Sequence, residues 1–395
     1  MTSNFIISVL LARWLSPQDY GAFSVAYAIL WIFTNLHIST ITEPLAVFGP
    51  GRYKDRLSEY LGILLYGHLG FSLIAAILLL LSSLALRFAG SDALASALLS
   101  LVVAGPLILY LRGLMRGACY VRLKPRLAAL GGASYMALVL PGAYLLYERH
   151  WLSPSAGLLL MGFASLLPGL WLTAYLRVKP VRLRGSEIFR NVLNDHSVYG
   201  RWAVPSNGFG FVASQSYLLL LPIWGGLEAS GAYRAMTNLA TPIVHIASAF
   251  SLFLLPTLVQ AREQGGFGRN IRIALALFIV GSGFYWVLLG FFHRPIVLWL
   301  YGDHYANYAN LLWFLGLVPL LTGLVSLLGA ALRALQRPDQ IFRAQVLASA
   351  VALTVGVGLL IVWGVAGAAI GNILSQAVAV AALLWLLRKE RNAAK

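Results

Sequence analysis

The sequence predicts an all-α integral membrane protein, with about twelve transmembrane helices in two six-helix halves related by a pseudo-two-fold axis around a central cavity. Three observations predict it. The first is composition. Of 395 residues, 59% are hydrophobic and 11% charged, more apolar surface than a soluble chain of this size can hide, and it is laid out in runs of roughly twenty residues. The second is an internal echo. Residues 11–24 match residues 221–234 at an offset of 210, with Leu, Trp, Gly and Ala coinciding and Phe23 meeting Tyr233. Residues 111–116 match 332–337 at an offset of 221, so a short insertion separates two landmarks that keep their order. The third is charge. Of 29 Lys and Arg residues, 24 fall in connections on one side of the proposed membrane and 5 on or near the other.

The expected helices run 3–15, 20–43, 60–86, 93–111, 127–147 and 157–176 in the first half. The second half holds 202–224, 231–259, 271–292, 308–332, 346–363 and 366–387. The first run has no basic leader and no cleavage signal, so it is expected to be a helix of the bundle rather than a secretory signal. It is short: thirteen residues rise about 20 Å against the roughly 30 Å of hydrocarbon. Either the true start lies upstream or this helix is tucked against others. The domains read as 1–176, a cytoplasmic linker 177–201, and 202–395 with a cytoplasmic tail. In that linker 186–194 is expected to form a short interfacial helix with Ile188, Val192 and Leu193 on one side.

The basic excess marks the cytoplasmic side, so both termini are expected inside. The same rule explains the net charge of +16 without nucleic acid. A single cysteine, Cys119, excludes an intrachain disulfide, and no Cys/His cluster surrounds it. Prolines inside the runs, among them Pro106, Pro141 and Pro168, are expected to kink helices.

Polar groups at membrane depth cost free energy, so function is sought there. In the eighth run Arg234, Thr237, Asn238, Thr241, His245 and Ser248 recur on one helical face. In the second run Ser24, Tyr27, Trp31, Thr34 and Asn35 do the same, at positions that correspond under the 210-residue shift. Both stripes are expected to face the cavity. The plainer alternative makes Thr237, Thr241 and Ser248 hydrogen-bonding glue between helices and lets Arg234 snorkel outward. Glu43 is the candidate for ion coupling; its plain reading is a helix-end carboxylate near Arg52 and Lys54. His37 and His68 read as packed or interfacial side chains rather than coupling groups. Asn207 and Gln215 in the seventh run are candidates to reach the cavity or to pack.

The chain has no phosphate-binding loop, no Ser/His/Asp grouping, no HExxH and no loop large enough for paired catalytic carboxylates. No cofactor and no metal site are expected, and a transporter is favoured over an enzyme.

Residues 10–23, with Ala12-Arg13-Trp14-Leu15-Ser16-Pro17-Gln18-Asp19-Tyr20-Gly21, resemble the opening hairpin of the polysaccharide-exporter branch of the multidrug/oligosaccharidyl-lipid/polysaccharide (MOP) superfamily. Gly231-Ala232-Tyr233-Arg234-Ala235, Leu255-Pro256-Thr257-Leu258 and Tyr301-Gly302-Asp303-His304-Tyr305 resemble its second-half motifs. The resemblance implies a MATE-like fold and a flippase. Such a protein moves a polyprenyl-pyrophosphate-linked oligosaccharide across the inner membrane for O-antigen, lipopolysaccharide or exopolysaccharide synthesis. Polysaccharide polymerase and glycosyltransferases of the same pathway are the partners it implies. Relatives use a cationic cavity to which Arg13 and Arg234 correspond. On this reading Arg234 with Asn238 meets the pyrophosphate and Tyr27 with Trp31 meets sugars, and Arg13, Asn35, Thr241 and His245 complete the candidate substrate-binding set. The alternatives are a cation-coupled multidrug exporter of the same fold, which wants an acidic cavity, and a non-transporting accessory protein of a glycan-assembly complex.

Overall fold

The computed structural model describes residues 2–179, 181, 187–335 and 337–393. Among them every regular element is a helix. Nine of the described stretches are long and apolar enough to cross a membrane by length and composition. Helix is the expected solution, since it satisfies its own backbone polar groups where water is absent. Two of the nine stretches are broken at a glycine. Gly226 (φ 75, ψ 176) interrupts Glu187–Asn238, and Gly364 (φ 55, ψ −128) interrupts the helix that runs to Ala393. Side chains other than glycine rarely adopt such angles, so the chain changes direction within one residue at each.

The chain forms two compact units. One comprises residues 22–208. It takes in the helix Pro17–His37 from Ala22 onward, which continues through a π-helical turn, Ile38–Thr42, into Glu43–Phe48. Leu57–Phe88 follows, then Asp92–Leu109, which passes through a second π-helical stretch, Tyr110–Met115, into Arg116–Val121. Pro125–Glu148 and Pro154–Tyr175 complete the set, with Pro141 and Pro168 inside them. Leu57–Phe88 shows how such a helix is ordered. Its Ser72, Ala75, Leu79 and Ser83 are buried while Leu69, Leu73, Ile77 and Leu81 are exposed. Small and hydroxyl-bearing residues let helices approach and bond, as Ser83 does to the Ala95 carbonyl at 2.7 Å; the large aliphatic face is left for lipid.

The expected short interfacial helix is instead the start of a long one. Glu187–Asn238 runs unbroken to Gly226; residues 180 and 182–186, including Ser186, lie outside the described residues. Ile188, Val192 and Asp195 are buried at helical spacing, whereas Leu193 is exposed. The stripe is fastened by polar contacts. Asp195 accepts from Arg52 Nη1 and from the Tyr53 hydroxyl, each at 2.6 Å. His196 meets the Tyr60 hydroxyl at 2.7 Å and the Thr40 carbonyl at 2.8 Å. Burial, then the hydrogen bond to the Asp195 carboxylate, pushes the Tyr53 phenol above its ordinary range.

The other unit comprises residues 1–21 and 209–395. Its core joins Leu254, Leu258, Ile271, Phe278, Leu327, Leu328, Leu332 and Leu383. The short helix Thr2–Trp14 belongs here: Ile7 and Leu11 are buried, and Arg13 Nη1 donates to the Trp299 carbonyl at 3.0 Å. The two echoing segments touch in this unit. A Cβ on Gly21 would overlap the carbonyl oxygen of Leu227, and one on Gly231 would lie 2.5 Å from the carbonyl oxygen of Pro17. Leu227 corresponds to Pro17 and Gly231 to Gly21 under the shift of 210, so the contact is reciprocal. The run expected over 231–259 is also interrupted. A turn at Leu239–Ala240 precedes Thr241–Gln264, where Pro242 supplies no N–H and disfavours helix at the residue before it.

Candidate functional site

In unit 22–208 Tyr27 and Trp31 of the second-run stripe meet a cation that the sequence placed in a loop, while Thr34 bonds back to the Leu30 carbonyl. Arg112 lies inside the continuous stretch Asp92–Val121, in its π-helical segment Tyr110–Met115. Its guanidinium carbon is 4.4 Å from the centroid of the Trp31 ring, and its Nη1 is 3.4 Å from the Tyr27 hydroxyl. Tyr27 in turn stacks on Phe23, with centroids 5.8 Å apart and planes 12° from parallel. Tyr135 is close enough to feel the charge of Arg112. Among the described residues no carboxylate pairs with Arg112. A guanidinium over an indole face keeps its outward N–H groups available to an acceptor of another kind. Asn35 turns its amide back to the Trp31 carbonyl at 2.8 Å.

A signal for Arg112 was present in the sequence. Apolar residues flank it on both sides, and it matches Arg333 in the echo of 111–116 with 332–337. The basic residue ends the expected run at Leu111, whereas the helix continues nine residues beyond Arg112, to Val121.

Two other polar groupings occupy this unit. Glu43 does not meet Arg52, which pairs with Asp195. It instead accepts from Asn207 Nδ2 at 3.3 Å, and the same amide reaches Ser39 Oγ at 2.8 Å. His37 and His68, read separately as packed residues, are both buried and hydrogen-bond each other at 3.1 Å. Thr42 Oγ1 stands 3.4 Å from the second nitrogen of His37, and Phe71 lies edge-on to its ring.

In unit 1–21 with 209–395 the eighth-run residues separate. Asn238 is buried and donates to Ser8 Oγ and to the Tyr20 hydroxyl, both at 2.7 Å, while those two groups lie 2.9 Å apart. Its amide hydrogens are thereby used in tying helices together. Arg13 caps the Trp299 carbonyl. Arg234 is half-buried and close enough for its charge to act on buried Tyr301 and Tyr233; Tyr301 is itself held by the Ala235 carbonyl at 2.9 Å. Thr241 and His245 belong to the next helical piece and are half-buried. The Ser248 side chain lies outside the described residues. No group of three or more metal-ligating side chains occurs among the described residues.

Residues 269–393 match a family model described as polysaccharide biosynthesis protein. No curated protein sequence matches the chain. Three solved folds are similar over nearly its whole length. One is an inward-facing multidrug-resistance transporter of the MATE family, 14% identical, with TM-score 0.81, covering 100% of this chain and 96% of that one. Another is the lipid II flippase MurJ in an inward closed conformation, 15% identical, with TM-score 0.74 and coverages of 98% and 85%. A third is a MOP-superfamily transporter from Pyrococcus furiosus with a binding pocket of reversed polarity, 16% identical, with TM-score 0.67 and coverages of 100% and 92%. The chain is a multi-pass membrane protein with the fold shared by these MATE, MurJ and MOP-superfamily structures, and residues 269–393 are similar to the polysaccharide biosynthesis family.

Proposed function

We propose that this chain is a flippase for polyprenyl-pyrophosphate-linked oligosaccharide, acting in the inner membrane during surface polysaccharide synthesis. The observation that carries the reading is Arg112 held on the face of Trp31 beside Tyr27, inside a helix long enough to span. A membrane-embedded cation without a carboxylate partner suits an anionic substrate group. The neighbouring aromatic and hydroxyl groups suit sugar rings, and a prenyl tail needs only lipid. The polysaccharide-synthesis family model and the MOP fold support the same substrate class. Arg234, with Tyr301 near it, is the second cationic candidate, and Thr241 and His245 continue from it.

The breaks at Gly226 and Gly364 each divide one long stretch in two, Thr241–Gln264 extends the short piece that follows Gly226, and Thr2–Trp14 adds a shorter helix, which supports about twelve spans. With the basic excess on one side, both termini are cytoplasmic. A cation-coupled multidrug exporter would want an acidic cavity, and the candidate carboxylate Glu43 is already engaged by Asn207.

The test is complementation of a strain lacking the gene, reading surface polysaccharide and membrane-protein level together. Wild type restores polysaccharide. A well-expressed Arg112→Ala protein that restores it fully overturns the assignment of the site. Export of an unrelated cationic drug without any effect on polysaccharide overturns the substrate class.

A further inference from the structure

Away from these residues, unit 22–208 holds a cleft of about 820 Å³ at one end of its helices. Its walls come from the end of Glu43–Phe48, the connection that follows, the start of Leu57–Phe88, the turn after Arg116–Val121, and Lys179 beyond Pro154–Tyr175. Ends of several membrane-length helices at one level mark the water–lipid boundary. Five basic side chains line the cleft, Lys54, Arg56, Arg122, Lys124 and Lys179, against Asp55 and Glu59. Glu59 is already neutralised by Arg56 at 2.6 Å. Arg122 Nη2 donates to Ser58 Oγ at 2.9 Å, but its buried Nε has no acceptor among the described residues. A buried donor without a partner costs free energy unless something supplies an acceptor.

The rim is unusual in a second way. The helix ending at Val121 closes with Lys124 N–H bonded to the Cys119 carbonyl and Leu123 N–H to the Tyr120 carbonyl, both at 2.9 Å. That is a Schellman ending, whose left-handed position normally holds glycine. Here it holds Leu123, at φ 53 and 88% exposed, next to exposed Tyr120. A leucine in that conformation is strained. At a membrane surface its side chain would rest among acyl chains directly beside the cationic cleft.

We infer that this cleft binds the phosphate-bearing headgroup of an anionic phospholipid, with Arg122, Lys124 and Lys179 meeting the phosphate and Leu123 and Tyr120 meeting the acyl region. The inference needs only that the chain is embedded in a membrane and is independent of the flippase reading. Its volume is within the range of small-ligand sites. Basic pockets at the ends of membrane helices are suited to such headgroups.

The purified full chain in uncharged detergent is titrated with phosphatidylglycerol, phosphatidylcholine or inorganic phosphate. The melting midpoint is followed, and bound lipid is counted by native mass spectrometry. Phosphatidylglycerol should raise the midpoint saturably, and the other two should not. The combined variant Arg122→Gln, Lys124→Gln, Lys179→Gln should need roughly tenfold more phosphatidylglycerol, or more, for the same rise. Leu123→Asn, which tolerates the left-handed conformation, should fold as wild type does and should also bind the lipid more weakly. Equal effects of phosphatidylcholine overturn the site. Equal effects of inorganic phosphate overturn the lipid assignment. An unchanged dose response in both variants overturns the residues named.

Discussion

Gly21 and Gly231 face each other so closely that each occupies the space where the other segment's backbone would forbid a side chain. A Cβ on Gly231 would stand 3.1 Å from the Gly21 nitrogen as well as 2.5 Å from the Pro17 oxygen. The obstacle is backbone in both cases and has no rotamer to change. Gly21→Ala and Gly231→Ala should therefore each destabilise the protein, by about 1–3 kcal/mol as overpacked sites do. Thermal unfolding of the purified variants checks this; a Gly231→Ala protein that melts with wild type would show that the segments part at no cost.

Asn238 and Arg234, one helical turn apart, should respond to mutation in different ways. Asn238→Ala leaves buried Ser8 and Tyr20 with one partner fewer and should cost about 1–3 kcal/mol of stability. Less folded protein is the expected readout. Arg234→Ala should leave the protein level unchanged and reduce export. Loss of a charge-assisted contact of about 2–3 kcal/mol corresponds to roughly 30- to 150-fold in binding. The reverse pattern, with Arg234→Ala poorly folded and Asn238→Ala well folded but inactive, would exchange their roles.

Arg112 and Trp31 make a pair that separates charge from packing. Arg112→Lys keeps the charge and should retain part of the export activity, whereas Arg112→Ala should retain little at normal protein level. Trp31→Phe should act more mildly than Trp31→Ala, because a smaller aromatic face still supports a cation at about 0.5–1 kcal/mol. Equal activity of Trp31→Ala and wild type would mean that the ring does not position the guanidinium for substrate.

Topology is open to direct labelling. After Cys119, which is buried, is replaced by Ala, single cysteines at Gln18, Glu228 and Asp303 should react with a membrane-impermeant reagent applied outside intact cells. Cysteines at Lys179, Glu187 and Asp339 should react only after the cells are opened. Outside labelling of Glu187 would overturn the twelve-span arrangement.

How much of this was legible in the chain differs from residue to residue. Helical class, membrane embedding and the likeness of the two hairpins follow from hydropathy and from the repeat at 210 residues, because apolar runs and glycine contacts are local properties of sequence. The stripe of Tyr27 and Trp31 was legible for the same reason. Charge rules place Arg112 in a loop; its apolar flanks and its match with Arg333 argue for a helix, but its seat on the Trp31 ring is visible only in tertiary structure. Asn238 looked like a ligand because its partners, Ser8 and Tyr20, are more than two hundred residues away in sequence. The pairing of His37 with His68, and of Asp195 with Arg52 and Tyr53, likewise depends on which helices become neighbours, which a periodicity cannot report. The long helix from Glu187 was cut short because its first turns are polar, yet Ile188, Val192 and Asp195 keep one face in register.

The π-helical turn Ile38–Thr42 has a consequence for the rotational phase of everything after it. A π turn accommodates about one residue more than an α turn, and one residue of α-helix is worth about 100° of rotation. Glu43 therefore occupies roughly the angular place that Thr42 would hold in an uninterrupted helix, and from there it reaches Asn207. Regular winding with every residue kept would swing Glu43 by about 100° away from Asn207, whereas removing one residue within the turn would restore regular winding and leave Glu43 facing it. Tyr27 and Trp31, which precede the turn, would stay where they are. The helix thus carries two independently phased faces, set by the length of one turn rather than by the identity of any side chain in it.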